Sequence, residues 1–366
     1  MAREKPVREI VTVVGARPQF IKAAVLSRLL REKHRGELSE FLVHTGQHYD
    51  DNMSEIFFRQ MRIPEPDANL GVGSGSHGRQ TGAMLAALEE VLAARRPERV
   101  LIYGDTNSTL AGSLAAAKLG IPVAHVEAGL RSFQRAMPEE INRIVADRLS
   151  DLLFCPTPTA VGNLAAEGIR EGVHLVGDVM FDASLYYRRL IAEGGVELRL
   201  PPGLPADFYL LTLHRAENTD DPARLQAIVE ALNGMDGHSA VFPVHPRTRK
   251  MLAAQGLSLA QHIRAIEPVG YLEMLALENR CRFVVTDSGG VQKEAFFFGK
   301  PCITLRDQTE WVETVQSGWN TLAGADPARI RGAFLDVRAP AQRPAFYGDG
   351  DSGSKILSIL ASGAEV

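Results

Sequence analysis

The chain has 366 residues, 45% of them hydrophobic and 23% charged, with a formal net charge of −4. That length fits two domains with full cores, and the charge balance leaves no basic footprint for nucleic acid. Cys155, Cys281 and Cys302 stand singly in apolar contexts, and no CxxC or HExxH spacing occurs. Buried thiols are therefore expected, with no disulfide and no structural zinc.

The opening MAREKPVREI is charged and lacks the apolar core of a signal peptide. It runs into an apolar strand, residues 8–14. Gly15-Ala16-Arg17-Pro18-Gln19 then turns into a helix reaching about Lys33. A strand, a glycine turn and a helix start offer backbone N–H groups to phosphate, with Arg17 and Lys22 adding charge. The turn is not a GxGxxG fingerprint, so a dinucleotide is not indicated. Residues 41–45 read as the next strand and 52–60 as a helix. Residues 71–78, GVGSGSHG, read as a loop, and 79–94 as a helix. The spacing of His44, His48 and His77 fits no metal-ligand pattern.

Residues 100–103 form a strand that ends at Gly104-Asp105. Asp105 has two readings, N-cap of the following helix or an acid facing a ligand crevice. The stretch PVAHVEAGLRSFQRAMPEEINR, residues 122–143, carries the densest chemistry. Its apolar start reads as a buried parallel strand ending at Glu127. Arg131 and Arg135 follow on a polar loop. Met137-Pro138-Glu139-Glu140 then opens a helix, where acids suit the helix dipole. Acidic positions flanking a loop with arginines suit proton transfer beside an anionic substrate. The structural alternative, caps and dipole partners, stays open for Glu140, and Glu127 remains divided between the two readings.

Strands at 152–155 and 173–176 alternate with helices at 157–168 and 179–192. This predicts a parallel sheet covered on both faces. GGVELRLPPGLP, residues 194–205, breaks the pattern and is read as a linker. The expected domains are 1–193 and 206–350, with 351–366 as a terminal helix. The second alternation has strands at 208–213, 240–243, 264–266, 283–286 and 301–305. Helices are expected at 222–232, from Tyr271 to 279, and from Gly289 through 298. Ser288-Gly289-Gly290 at a helix start lets a diphosphate approach the backbone, and Glu294 is placed to accept hydrogen bonds from ribose hydroxyls. A plain glycine turn with a surface glutamate is the alternative. Strand-end signals in both halves predict one cleft between two α/β domains.

The strings GARPQFIK, GDTNSTL, HVEAGLRS, MPEEINR, LHRAEN, PVHPR, TDSGGVQKEA, GKPC and YGDG fall in order across nearly the whole chain. Together they resemble the non-hydrolysing UDP-N-acetylglucosamine 2-epimerases. The resemblance implies a GT-B fold of two Rossmann-like domains, a last helix crossing back to the first domain, and a homodimer. It implies no cofactor and no metal. It also implies C2 epimerisation of a UDP-2-acetamido sugar, typically UDP-GlcNAc to UDP-ManNAc, through UDP elimination to a 2-acetamidoglucal and re-addition.

By the same resemblance, Asp105, Glu127, Glu139 and His214 are the catalytic set. Arg17, Lys22, Arg131, Tyr271, Ser288, Gly289, Gly290 and Glu294 are substrate contacts. Gln47, His48, Gln80 and His245 are candidates for a second nucleotide-sugar site. Asp50 and Ala216 depart from the family's pattern there and predict loss of activation by a second nucleotide sugar. Gln19 stands where the family has Glu, and Trp311 replaces an arginine near the ligand. The strings GARPQFIK, FFFGKPC and RDQTEWVE are similar to a subgroup acting on UDP-2,3-diacetamido-2,3-dideoxyglucuronate, where an aromatic at 311 is expected to line a roomier pocket. A GT-B glycosyltransferase and a non-catalytic nucleotide-sugar sensor are the alternatives outside this reaction. No run approaches membrane-spanning length, and a soluble cytoplasmic protein with a UDP-sugar as its ligand is expected.

Overall fold

Short apolar segments, each closed by a polar turn and a capped helix start, build both halves of the chain. The computed structural model describes residues 7–47, 58 and 61–363. The helix expected at 52–60 therefore lies outside the described residues, Phe58 excepted. Two units emerge, one from residues 1–185 and 345–366, the other from residues 186–344.

The first unit holds strands β1 (Arg8–Val14), β2 (Leu38–His44), β3 (Ala68–Asn69), β4 (Arg99–Tyr103), β5 (Val123–Val126), β6 (Leu152–Cys155) and β7 (Val173–Leu175). They form one parallel sheet in the order β3-β2-β1-β4-β5-β6-β7. The order reverses between β1 and β4, so their connections leave on opposite sides and a crevice opens at the strand ends. β5 and β6 are buried at every position, as strands covered on both faces must be. The helices are α1 (Arg17–Lys33), α2 (His77–Arg95), α3 (Asn107–Lys118), α4 (Pro138–Leu149), α5 (Pro158–Ala166) and α6 (Val179–Ala192). Pro in the first turn opens α1, α4 and α5, where its missing N–H costs nothing.

The second unit repeats the plan with β8 (Tyr209–Thr212), β9 (Ala240–Pro243), β10 (Ile263–Ile266), β11 (Val284–Thr286), β12 (Cys302–Thr304) and β13 (Asn320–Leu322). Its order is β10-β9-β8-β11-β12-β13, again parallel, with the reversal between β8 and β11. Its helices are α7 (Ala216–Thr219), α8 (Pro222–Asn233), α9 (Pro246–Ala254), α10 (Tyr271–Arg280), α11 (Gly289–Phe297), α12 (Val312–Gln316) and α13 (Pro327–Asp336). Sequence reading does not anticipate β3, α7, α9, α12, β13 or α13. Most are too short to show a period, although Asp326 capping α13 with Pro327 at its start is a signal that was there to read.

The division between units falls at Leu185–Tyr186, inside α6, and not in residues 194–205. Pro and Gly interrupt secondary structure there without interrupting packing. The Arg264 guanidinium holds the carbonyls of Pro202, at 2.7 Å, and Gly203, and Arg199 N–H donates to Glu273 at 3.0 Å. The last helix, α14 (Ser352–Ser362), belongs to the first unit. Gly353 N–H donates to Asp182 at 2.8 Å, and Val25 and Leu29 of α1 lie where a side chain at 353 would stand. Cys155, Cys281 and Cys302 are buried free thiols, pushed up to about 12 by burial. Among the described residues, no helix is long and apolar enough to cross a membrane.

Burial pushes Asp182 up to about 6, and hydrogen bonds from Gly353 and Ser352 offset only part of this. The folded state thus holds a proton that the unfolded chain releases near pH 4. The contribution to stability is full below about pH 4 and is lost as pH rises through 6. Asp182→Asn keeps an acceptor for Gly353 and removes the titration. Its melting temperature should gain on the wild type between pH 4 and 7, and parallel curves would refute this.

A second prediction concerns Gln19, which is 2% exposed. Its oxygen accepts from Gly15 N (2.8 Å) and Ala16 N (3.1 Å). Its amide nitrogen donates to the Tyr103 carbonyl (2.7 Å) and Thr109 Oγ1 (3.0 Å). Gln19→Glu removes the donor and leaves a carboxylate facing a carbonyl. It should cost about 1–3 kcal/mol in chemical denaturation.

Candidate active site

Three loops at the carboxyl ends of β1, β4 and β5 converge in the first unit. Glu127 leaves β5 with φ +71°, a left-handed conformation that non-glycine residues rarely hold. Its side chain forms an ion pair with Lys22 of α1, and both are about 11% exposed. Gly104 (φ +61°) lies against this pair. A Cβ there would stand 3.4 Å from Glu127 Oε2 and 3.6 Å from Lys22 Nζ. Those are ordinary contact distances, and it is the left-handed backbone that favours glycine at 104.

Asp105 follows Gly104 and pairs with Arg143 of α4. It does not cap α3, because Thr106 takes that role through Thr109 N–H. Burial raises the Asp105 pKa, Arg143 pulls it back, and the charge of Glu127 raises it again. Asn142 fixes the backbone by donating to the Asp105 carbonyl at 2.9 Å. A carboxyl with a raised pKa beside an ion-paired one is a suitable acid–base pair.

Behind these acids lies a buried network. His125 Nδ1 bonds Asp147 Oδ1 at 2.7 Å and Nε2 bonds the Gly104 carbonyl at 2.7 Å. The ring thus bridges the Asp147 carboxyl group and the Gly104 carbonyl. Asp147 also accepts from Gly129 N (3.1 Å) and Arg131 Nη1 (2.7 Å). Burial alone would raise its pKa, but His125 and Arg131 hold it below the usual range.

Arg131, expected as a substrate contact, is committed here. It grips Glu167 through Nε (2.6 Å) and Nη2 (2.7 Å), and it holds the Leu130 carbonyl at 2.7 Å. Its side chain is 1% exposed, so it orients the loop. The two adjacent acids of α4 divide. Glu139 is exposed, whereas Glu140 is buried and accepts from Ser132 N (2.8 Å), Ser132 Oγ (2.9 Å) and Phe133 N (2.9 Å). Burial opposes its ionisation, but these bonds win and keep its pKa low. They hold Phe133 in a left-handed conformation, φ +59°.

Gln47 and Gln80 brace loops. Gln47 Oε1 accepts from Ser108 N (3.0 Å) and Oγ (2.7 Å). Gln80 donates to the Gly73 carbonyl (2.7 Å) and accepts from Asn107 (2.8 Å). His48 and Asp50 lie outside the described residues. Arg17 stands half-buried at the first residue of α1.

In the second unit, fully buried Asp287 ends β11 and gathers the His214 turn. It accepts from His214 N (3.1 Å), Arg215 N (2.9 Å) and Asn218 Nδ2 (3.3 Å). His214 Nδ1 is 3.4 Å from Asp287 Oδ1. Burial lowers the His214 pKa, and Asp287 opposes this only in part. His245, another second-site candidate, is exposed, tilts against His214 at 5.8 Å between ring centroids, and caps α9 through Arg247 N.

Ser288 precedes α11 without a side-chain cap, and Gly290 is exposed with open space where a side chain would start. A Cβ at Gly289 would stand 2.3 Å from Glu310 Oε1, so a side chain there would displace the end of Glu310. Trp311 does not line an open pocket. It is 6% exposed, its indole N–H donates to the Gly289 carbonyl at 2.9 Å, and Lys293 Nζ lies 4.4 Å from a ring centroid. The glycine turn rests on it. Glu294 and Tyr271 lie on α11 and at the start of α10. Among the described residues, no three His, Cys, Asp or Glu side chains are grouped to hold a metal ion.

Sequence reading found the strand-end groups and missed their supports. His125, Asp147, Arg143 and Asp287 lie within or beside regular elements. The one signal for them was a polar residue in an otherwise buried run.

The family model for UDP-N-acetylglucosamine 2-epimerase matches residues 31–361. The UDP-2,3-diacetamido-2,3-dideoxy-D-glucuronate 2-epimerase of Pseudomonas aeruginosa is 53% identical over 362 residues, covering 96% of this chain and 99% of its own. The UDP-N-acetylglucosamine 2-epimerase of Methanocaldococcus jannaschii is 44% identical over 365 residues, covering 96% and 98%. A crystal structure of the Methanocaldococcus jannaschii UDP-GlcNAc 2-epimerase in complex with UDP-GlcNAc and UDP matches with a TM-score of 0.81 at 41% identity, covering 97% of this chain and 99% of that one. The calicheamicin glycosyltransferase CalG4, at 16% identity and a TM-score of 0.51, shares the GT-B-like fold alone. With two parallel Rossmann-like sheets and relatives matched nearly end to end, the chain belongs to the UDP-N-acetylglucosamine 2-epimerase family and is a non-hydrolysing UDP-sugar 2-epimerase, an isomerase.

Proposed function

We propose that the chain inverts C2 of UDP-2,3-diacetamido-2,3-dideoxyglucuronate. The supporting observation is the gradient of likeness, 53% identity to the Pseudomonas aeruginosa enzyme of that name against 44% to the Methanocaldococcus jannaschii UDP-N-acetylglucosamine 2-epimerase. UDP-N-acetylglucosamine is the second reading, favoured by the complex in which that archaeal enzyme was crystallised. A homodimer in the cytoplasm accompanies both readings.

In this mechanism a base removes the C2 proton. The C–H electron pair forms the C1=C2 bond of a glucal, and the C1–O bond breaks to release UDP. UDP then adds back at C1 while a proton reaches C2 from the other face. Glu127 serves as the base, held as an anion by Lys22 and reached past Gly104. Asp105 serves as the acid, since burial favours its protonated form. Glu139 is the third proton carrier on the resemblance alone.

Free UDP carries the developing charge. The first N–H groups of α11 at Gly289 and Gly290 receive the diphosphate, and His214 donates to it. Arg17 adds a cation at the start of α1, and Glu294 accepts the ribose hydroxyls. Arg131, Gln47 and Gln80 act through the loops they hold, and His245 through the His214 ring.

Proton NMR in D2O tests the substrate. The diacetamido-uronate should give a C2-deuterated epimer at kcat/KM at least ~10-fold above that for UDP-GlcNAc, a preference of about 1.4 kcal/mol in transition-state binding. The reverse order would select UDP-GlcNAc, and no exchange with either would favour a transferase or a sensor. Glu127→Gln should cut kcat by ~10²–10⁴-fold. UDP affinity by calorimetry should stay within a few-fold, and its loss would reassign Glu127 to binding.

A further inference from the structure

Glu140, Asn142 and Arg143 all lie in the first two turns of α4, and all are buried. Asn142 holds the Asp105 backbone, and Arg143 Nη2 holds the Asp105 carboxyl. The other terminal nitrogen, Arg143 Nη1, lies 3.3 Å from Glu140 Oε2. Arg143 Nε is buried and has no hydrogen-bond partner. The guanidinium is therefore oriented from its two ends, by one carboxylate at each. Side-chain exposure rises along this relay, from 2% at Glu140 through 10% at Arg143 to 32% at Asp105. A buried anchor thus reaches an acid that is open to solvent.

Anchoring the preceding loop does not require this arrangement. Ser132 N, Ser132 Oγ and Phe133 N already donate to Glu140. An arginine facing a single carboxylate tends to place two nitrogens on it and to favour its ionised form. Here the fork is split, and Asp105 receives one nitrogen. The other charged groups acting on Asp105 are Glu127 at the end of β5 and Lys22 of α1. His125 of β5 bonds the Gly104 carbonyl beside it, and Glu139 of α4 is exposed.

We propose that Glu140 is a positioning residue for Asp105: it holds one end of the Arg143 guanidinium, so that the other end orients the Asp105 carboxyl while the cation is divided between two carboxylates. The inference rests on the reading of Asp105 as the acid of the epimerisation. An acid must carry its proton before it can deliver it. If the Glu140 charge is removed, the whole cation falls to Asp105 and stabilises its anion. Asp105 then loses its proton at lower pH, and turnover declines from a lower pH upwards.

The pH profile of kcat in the full-length protein, followed by proton NMR from about pH 5 to 9, tests this. Glu140→Gln should move the alkaline limb to lower pH by ~1 unit, with UDP affinity by calorimetry within a few-fold of wild type. Ser132→Ala removes one loop bond and keeps the Glu140 charge, so its limb should stay in place. A Glu140→Gln protein with the wild-type limb, or a Ser132→Ala protein whose limb moves as far, would overturn the inference. Asp105→Asn separates the two assignments. If it turns over with the wild-type limb, or if the wild type has no alkaline limb, the reading of Asp105 as the acid fails. If it is inactive or lacks the limb while Glu140→Gln keeps the wild-type profile, only the role of Glu140 fails. Should Glu140→Gln not fold, Arg143→Lys decides. An ammonium keeps the charge but offers no separate nitrogens to two carboxylates. Its kcat should fall ~10-fold or more with UDP affinity retained, and a wild-type kcat would overturn the inference.

Discussion

One buried carboxylate, Asp147, holds the acid-bearing loops of the first unit in place. It sits on α4 at 1% exposure and stays ionised because His125, Arg131 and Gly129 all donate to it. Through His125 it fixes the Gly104 carbonyl, one residue before Asp105. Through Gly129 it fixes the chain two residues after Glu127. The spacing of the two candidate acids is thus set by a network anchored on the backbone beside them. Removing one member would leave buried charge without a partner, which is why such networks are either complete or costly.

The acids themselves depend on opposed environments. Glu127 is strained in its backbone and neutralised by Lys22, whereas Asp105 is desolvated and only partly compensated by Arg143. Burial thus favours the protonated form of Asp105, while Lys22 gives Glu127 a counter-charge. The left-handed residue at 127 and the glycine at 104 serve the same end. One turns the chain out of the strand direction, and the other lets the neighbouring loop adopt its own left-handed turn against the Glu127–Lys22 pair.

The second unit solves a different problem with the same topology. Its strand-order reversal places the β8 and β11 ends together, and Asp287 binds the His214 turn to them. Gly289 and Gly290 carry no side chain to block an anion, and Trp311 supports the turn through the Gly289 carbonyl. Trp311 thereby offers a physical account of one departure from the family pattern, because an indole both fills the space and donates to the Gly289 carbonyl. Gln19 is a second such case. Its amide donates to Tyr103, which the family's usual carboxylate could do only when protonated.

The sequence by itself determined the alternation of buried strands and capped helices, and with it two parallel sheets. Periodicity, Pro at helix starts and glycine after strands are local and survive in one dimension. It also pointed to Asp105, Glu127, His214 and Ser288 to Gly290, because parallel sheets expose ligands at strand ends. Only the tertiary structure decided that Arg131 is locked onto Glu167 and Asp147, that Glu140 is buried while Glu139 is exposed, and that Thr106 caps α3. The same holds for the unit boundary inside α6. Each of these depends on which polar groups meet after packing has removed water, and residues far apart in the chain supply them.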